Sequence, residues 1–269
     1  MLLMDGALGT FLLQHGFPPG SCLEEISEKR PSLLTEIHKS YLMAGSKAVL
    51  TNSFGANRIR LGRLFRSPKS RLERWNRLAV SLAREAVSGH AAVFASVGPL
   101  GLSARKMTPR EMREIFLEQI RALDEEKPDC YWVETITALN EAEAAVNAVR
   151  EVSDRPLIVT LAFPRGVSRL KTGTLGLMAK TLREAGADAI GINCGTHPEE
   201  AFDFLNRLRL VDPGPWAARP AAGIPGRPVL PEEFAKWGVR IAALGVKYLG
   251  GCCGTTPAHI RVLKERLDN

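Results

Sequence analysis

Several things this sequence lacks narrow it before any motif is read. No stretch reaches the roughly 18 consecutive apolar residues of a membrane-spanning helix. The opening Met1-Leu2-Leu3-Met4-Asp5 is too short an apolar run for a signal-peptide core, and no basic residue leads into it. The expected compartment is therefore the cytoplasm, where thiols stay reduced. Cysteine is sparse: there are five, an odd number, which argues against a disulfide framework. Short-period repeats and low-complexity tracts are missing too. What remains is a globular composition, with 269 residues, 45% hydrophobic, 24% charged and a formal charge of +7. That length suits one or two ordinary domains, or a single α/β barrel of about 250 residues.

Along the chain, short apolar runs alternate with amphipathic segments. Strand-like runs lie at Leu2–Asp5, Ala48–Ser53, Val93–Val97, Tyr131–Thr135, Leu157–Phe163, Ala189–Cys194, Trp216–Ala222 and Val246–Gly251. Helical patterns follow at Ser32–Ala44, Arg71–Ser88, Pro109–Glu125, Glu141–Val152, Leu175–Ala185, Pro198–Leu210, Glu232–Leu244 and Pro257–Leu267. Thr108-Pro109-Arg110-Glu111 and Thr196-His197-Pro198-Glu199 read as capping boxes, and Gly45, Gly89, Gly186 and Gly245 as helix stops. Eight strand–helix units predict a single-domain (β/α)8 TIM barrel over residues 1–269. The seventh strand is crowded by Pro213, Pro215 and Pro220.

In such a barrel, chemistry belongs at the C-terminal ends of the strands. Asp5-Gly6-Ala7, Asn52, Glu134-Thr135, Asn193-Cys194-Gly195 and Gly250-Gly251-Cys252-Cys253-Gly254 all fall there. Closure makes strands eight and one neighbours, with strand six close by, so Cys194, Cys252, Cys253 and Asp5 face one cavity. Three thiols at a barrel mouth suit a zinc site with an open fourth position. Adjacent cysteines on a strand point to opposite faces, so Cys252 and Cys253 reach one ion only if the backbone turns sharply, as Gly250, Gly251 and Gly254 allow. A vicinal disulfide of Cys252 and Cys253 is the alternative. Cys22 and Cys130 read as core residues. Asn52, Asn57 and Asn193 read as turn-formers or satisfied polar neighbours, and His197 as part of a helix start.

These elements carry a resemblance. Asp-Gly-Ala-Leu-Gly-Thr at 5–10, Thr-Asn-Ser-Phe-Gly-Ala-Asn at 51–57, Glu134-Thr135, Gly-Ile-Asn-Cys-Gly at 191–195 and Gly-Gly-Cys-Cys-Gly-Thr-Thr-Pro at 250–257 resemble the homocysteine S-methyltransferases. The resemblance implies a Zn2+-bearing barrel that methylates the sulfur of homocysteine to form methionine. It implies Cys194, Cys252 and Cys253 as metal ligands. It also implies Asp5 and Glu134 as holders of the amino acid, with backbone N–H groups after Asp5, at Gly6 and Ala7, serving its carboxylate. The family often carries Asn in a Pro-Asn-Ala-Gly stretch as a resting zinc ligand; here the stretch is Pro220-Ala221-Ala222-Gly223. A related reading is methyl transfer to another thiol or a selenol such as selenohomocysteine. A non-enzymatic one is a metal-holding barrel that docks a partner.

The chain ends at Asn269, just after its eighth helical segment, so the expected methyl donor is a small molecule or a methylated corrinoid protein acting in trans. The stretch at 51–61 resembles the cobalamin- or folate-linked branch more than the S-methylmethionine branch, and no S-adenosylmethionine signature is present. Positive charge concentrates between Arg58 and Arg84, with nine Lys or Arg residues against Glu73 alone. Three readings compete for it: a solvated face, a docking patch for an acidic partner, and nucleic-acid binding. The last lacks aromatic interleaving.

Overall fold

Strands such as Leu157–Leu161 are apolar on both faces, which suits a parallel sheet covered on both sides. The computed structural model describes residues 1–18, 20–164, 166–224 and 227–269. Its barrel strands are β1 (Leu2–Leu3), β2 (Ala48–Leu50), β3 (Ala92–Val97), β4 (Cys130–Ile136), β5 (Leu157–Leu161), β6 (Ala189–Asn193), β7 (Trp216–Arg219) and β8 (Tyr248–Leu249). All pair in parallel, β2 through β7 in sequence order, with β8 between β7 and β1. The seam between β1 and β2 is narrow. It consists of the parallel bridge Met4–Ala48 and a hydrogen bond from Lys47 N–H to Leu3 O, 2.8 Å. The expected (β/α)8 barrel is therefore the observed one.

One main helix follows each strand: α1 (Pro31–Met43), α2 (Pro68–Val87), α3 (Pro109–Asp124), α4 (Leu139–Val152), α5 (Thr172–Ala185), α6 (Pro198–Leu208), α7 (Pro231–Ala242) and α8 (Pro257–Asp268). Gly45, Gly89, Gly186 and Gly245 all take positive φ at or just after helix ends, as their positions predicted. The capping box of α3 forms, with Glu111 N–H donating to Thr108 Oγ1 and Thr108 N–H to the Glu111 carboxylate. For α6 the cap moves one residue on. Pro198 occupies the first helical position, so His197 caps, and its partner is Glu200 rather than Glu199. Sequence periodicity missed short helices at Gly9–Gln14 and Arg58–Leu64, and a two-stranded ribbon of Gly223–Ile224 against Arg227–Pro228. Elements this brief hold too few turns for a period to emerge.

Alternation along the strands fills the barrel in layers. Met4, Leu50, Phe94, Trp132, Ile158, Ala189, Ala217 and Tyr248 form the buried lower plug, where Phe94, Trp132 and Tyr248 meet at ring separations of 6.0–6.2 Å. Small alanines share that layer with the three large rings, which suits close packing in a confined interior. Two residues further on, the same face carries polar side chains: Ser96 above Phe94, Glu134 above Trp132, Arg219 above Ala217. A larger apolar shell packs the strands against the helices. Cys130 joins the core as expected, whereas Cys22 is only half-buried and donates its thiol to Glu24 Oε2 at 3.3 Å. A carboxylate two residues away gave it a polar partner, so it is not a plain core residue.

Candidate active site

The polar layer above the aromatic plug opens into a cavity of about 260 Å³ at the C-terminal mouth of the barrel. Asp5, Gly6, Ala7, Glu134, Cys194, Cys252 and Cys253 all line it. The residues singled out from sequence are thus brought together from the ends of β1, β4, β6 and β8.

Each acidic group is held by fixed donors. Asp5 Oδ2 accepts the Leu50 N–H at 2.8 Å, and Oδ1 accepts from Arg219 Nη2 at 2.9 Å. Glu134 Oε1 accepts the Ser96 hydroxyl at 2.5 Å; Oε2 accepts from Asn193 Nδ2 at 3.2 Å and Arg219 Nη1 at 3.4 Å. Register slips between Val133 and Ile136, and Thr135 sits at φ 63°, where the Asn193 side chain takes its N–H at 2.9 Å. Such an irregularity, bracing one side chain toward a site, is a common device at barrel rims. Burial pushes the Asp5 carboxyl up to about 7 against the opposing pull of Arg219 and the Leu50 N–H, and burial also raises Glu134. A buried anion pair of this kind favours a cation beside it.

The sulfur atoms converge from two loops. Their three Sγ atoms lie within 4.8 Å of one another, with Cys194 and Cys253 at 3.3 Å. Cys194 adopts φ 34°, an uncommon conformation for a non-glycine residue, directly after Asn193. The sharp turn at Cys252-Cys253 comes from Gly254, at φ 82°, whose Cβ position would fall 2.1 Å from Gly223 N. Gly250 and Gly251 serve differently: at both φ is unexceptional, but a Cβ would strike Asp5 O at 2.6 Å and Thr255 Oγ1 at 2.4 Å. The Cys253 carbonyl is pinned by N–H groups of Ala222 (2.7 Å) and Gly223 (2.9 Å). Cys252 N–H donates to Pro220 O at 2.9 Å. Hydrogen bonds from Cys194 and Cys252 push the Cys253 thiol down, while sharing its proton with those two sulfurs pushes Cys194 up. Protons or a cation must balance this cluster, in which Cys194, Cys252 and Cys253 are all free thiols in this structure.

Some site residues were not foreseen. Arg219 is 3% exposed and joins Asp5 to Glu134, with Nη2 also donating to Gly6 O at 3.1 Å. Its signal was present: Trp-Ala-Ala-Arg closes an apolar strand with a charge, just as Tyr-Trp-Val-Glu does at Glu134. Asn193, left as a neighbour from sequence, is a hub between β4 and β6. Thr255 takes the Ala7 N–H at 3.0 Å, and Tyr41 OH donates to Ala7 O (2.8 Å) and Thr255 O (3.1 Å). The Ala7 amide is therefore engaged within the protein. Ala221 offers no ligating atom, and its own N–H donates to Thr196 O at 3.0 Å. His197 is buried at the start of α6, its ring nitrogen accepting from Glu199 N–H, as a helix-start role requires.

The basic segment runs along the 58–64 helix and α2. Much of its charge is neutralised across elements: Arg58 pairs with Glu118 (2.9 Å), Arg74 with Glu28 (3.1 Å), Arg77 with Glu125 and Glu126 (both 3.3 Å) and Arg84 with Asp129 (2.7 Å). Arg60, over the Phe54 ring, reaches the cavity rim.

Comparison with known proteins agrees with this geometry. The profile of the homocysteine S-methyltransferase family matches residues 2–267. Methionine synthase of Mycobacterium tuberculosis is 30% identical over 297 residues, covering all of this chain but 25% of that protein. The chain thus spans about a quarter of the length of the methionine synthases it matches. Betaine–homocysteine S-methyltransferase 1 of Rattus norvegicus is 29% identical, over 99% of this chain and 72% of its own. In fold, the metallated form of the homocysteine methyltransferase MmuM from Escherichia coli superposes with a TM-score of 0.85 at 24% identity, over 99% of this chain and 96% of that one.

Proposed function

Because the chain belongs to the homocysteine S-methyltransferase family, we propose that it transfers a methyl group to the thiol of homocysteine, forming methionine. The observation that carries this reading is the juxtaposition of three converging thiols with two buried carboxylates in one cavity. A thiophilic cation matches such a donor set, and the residues present fit Zn2+ well. Cys194, Cys252 and Cys253 would hold it. Zinc there would supply a charge that strips the proton from a substrate thiol and keeps the sulfur nucleophilic at neutral pH, without redox chemistry.

The chain's own groups do the rest. Asp5 and Glu134 take the substrate ammonium, which fixes the amino acid relative to the sulfur cluster and pre-arranges the reacting atom. Their orientation is set before substrate arrives, because Leu50, Ser96, Asn193 and Arg219 already hold both carboxylates in place, and the arriving ammonium favours their charged forms. With Ala7 N–H engaged by Thr255, the Gly6 amide is the remaining backbone donor proposed for the substrate carboxylate. In the transfer the homocysteine sulfur lone pair forms the new S–CH3 bond as the bond from methyl to the donor breaks. The leaving group departs with that electron pair, and the thiol proton goes to solvent. The donor is a small molecule or a methylated corrinoid protein, and the reduced thiols point to a cytoplasmic setting.

The test is a methyl-transfer assay with homocysteine against methylcobalamin, methyltetrahydrofolate with a corrinoid protein, betaine, S-methylmethionine and S-adenosylmethionine. Methionine should form with one of them, and Cys252→Ala should lose both bound zinc and turnover while remaining folded. A zinc-free protein that makes methionine at full rate would overturn the reading.

A further inference from the structure

Arg219 is the one buried cation of the cavity among the described residues, and the site as read from sequence has no task for it. It stands on β7 two residues above Ala217, on the face that looks into the barrel, with its guanidinium over the Trp132 ring at 5.6 Å. Nη2 reaches Asp5 and the Gly6 carbonyl, and Nη1 reaches Glu134. Nε has no partner among the described residues, so the side chain is committed to the two carboxylates and not to a network of its own. A planar fork can span two acids in this way, whereas an ammonium on a flexible stem reaches one at a time.

Two buried carboxylates facing one cavity repel each other and, without a cation between them, swing apart or draw in water. Each carboxylate offers about four acceptor sites. Leu50 and Arg219 fill two on Asp5, and Ser96, Asn193 and Arg219 fill three on Glu134. Roughly three remain, the number of N–H groups on a primary ammonium. With both carboxylates ionised, Arg219 leaves the set of three groups with a single net negative charge, which one ammonium neutralises.

We propose that Arg219 is a positioning residue for substrate recognition: by bridging Asp5 and Glu134 it fixes the spacing and net charge of a cradle for one primary ammonium. This rests on the assignment of those two carboxylates to the substrate ammonium. The hydrogen bonds of Arg219 go to the two carboxylates and the Gly6 carbonyl, so its effect falls on binding of ammonium-bearing thiols and not on transfer.

The experiment measures calorimetric binding of homocysteine, aminopropanethiol and propanethiol to the zinc-loaded protein and to Arg219→Met and Arg219→Lys. The Met variant should raise Kd for both ammonium-bearing thiols by the same factor, roughly tenfold or more. Propanethiol should shift by less than about twofold, with zinc content retained. Lysine should rescue part of the loss, and if the Met variant fails to fold, the Lys variant carries the same three-thiol comparison. Equal losses for all three thiols, unchanged binding, or tighter binding of the ammonium-bearing pair would each overturn the proposal. A wild-type protein that takes aminopropanethiol over propanethiol but refuses homocysteine would instead overturn the assigned substrate, and Arg219 would then be read from the two simpler thiols.

Discussion

At the scale of single residues, the molecule buries several polar groups, and they behave differently. Asp5, Glu134 and Arg219 satisfy one another, but His38 on α1 is fully buried and neither ring nitrogen has a hydrogen-bond partner among the described residues. Burial alone pushes its pKa down from 6.5 to about 4. In the window between those values the unfolded chain takes up a proton that the folded one refuses, so stability rises with pH across it and levels off above. Full passage through the window is worth about 3 kcal/mol. Asp5, raised to about 7, contributes the opposite slope over the same range, so the His38 part is read as a difference: in denaturant titrations from pH 4 to 7, the stability of the protein minus that of His38→Leu should rise with pH. A difference that stays flat would show that His38 is not its source. None of this was legible in the sequence, since a histidine at a helical position gives no sign of whether its neighbours will offer partners. Arg219 was legible in principle, because parity along β7 puts it on the same inward face as Ala217, but the flanking prolines drew the reading toward a weak strand.

Among the elements, what carried through from sequence to structure was local chemistry with a fixed offset. Glycine stops, the Thr108–Glu111 box and the proline at the first turn of α8 stand where their spacing put them. What failed depended on elements too short to show a period. The helix at Arg58–Leu64 is one, and its start was nonetheless marked: Asn57 Oδ1 accepts the Arg60 N–H at 3.0 Å, an N-cap read from sequence only as a polar neighbour. Asn57→Ala should cost about 1 kcal/mol, visible as a fall in Tm of roughly 3 °C. A change in Arg60 near the cavity rim should accompany it, because the same turn carries that side chain. An unaltered melting curve would show that packing against α2, not the cap, holds this helix.

On the scale of the whole molecule, the barrel's eight-unit count and its closure were readable, but the narrowness of the seam between β1 and β2 was not, because a seam of one bridge leaves no mark in composition. The sulfur cluster draws on both sides of β7, with Cys194 after β6 and Cys252 and Cys253 after β8. A metal held there ties these strand ends together, and at a thousandfold excess over Kd it adds about 4 kcal/mol. Chelation should lower Tm by roughly 10 °C and re-addition of zinc should restore it; identical melts with and without chelator would show that the cluster holds no structural ion. The seam itself has a further consequence. Where β1 and β2 run out of backbone pairing, the next rung is made by a side chain, Asp5 accepting the Leu50 N–H. The group proposed to greet the substrate is also the stitch that fastens the first strand to the second. Selection on catalysis and selection on folding thus act through one carboxylate, which leaves this position little freedom to drift even if the substrate changes. An Asp5→Asn replacement, which keeps an acceptor for Leu50 while removing the charge, separates the two pressures where Asp5→Ala would confound them.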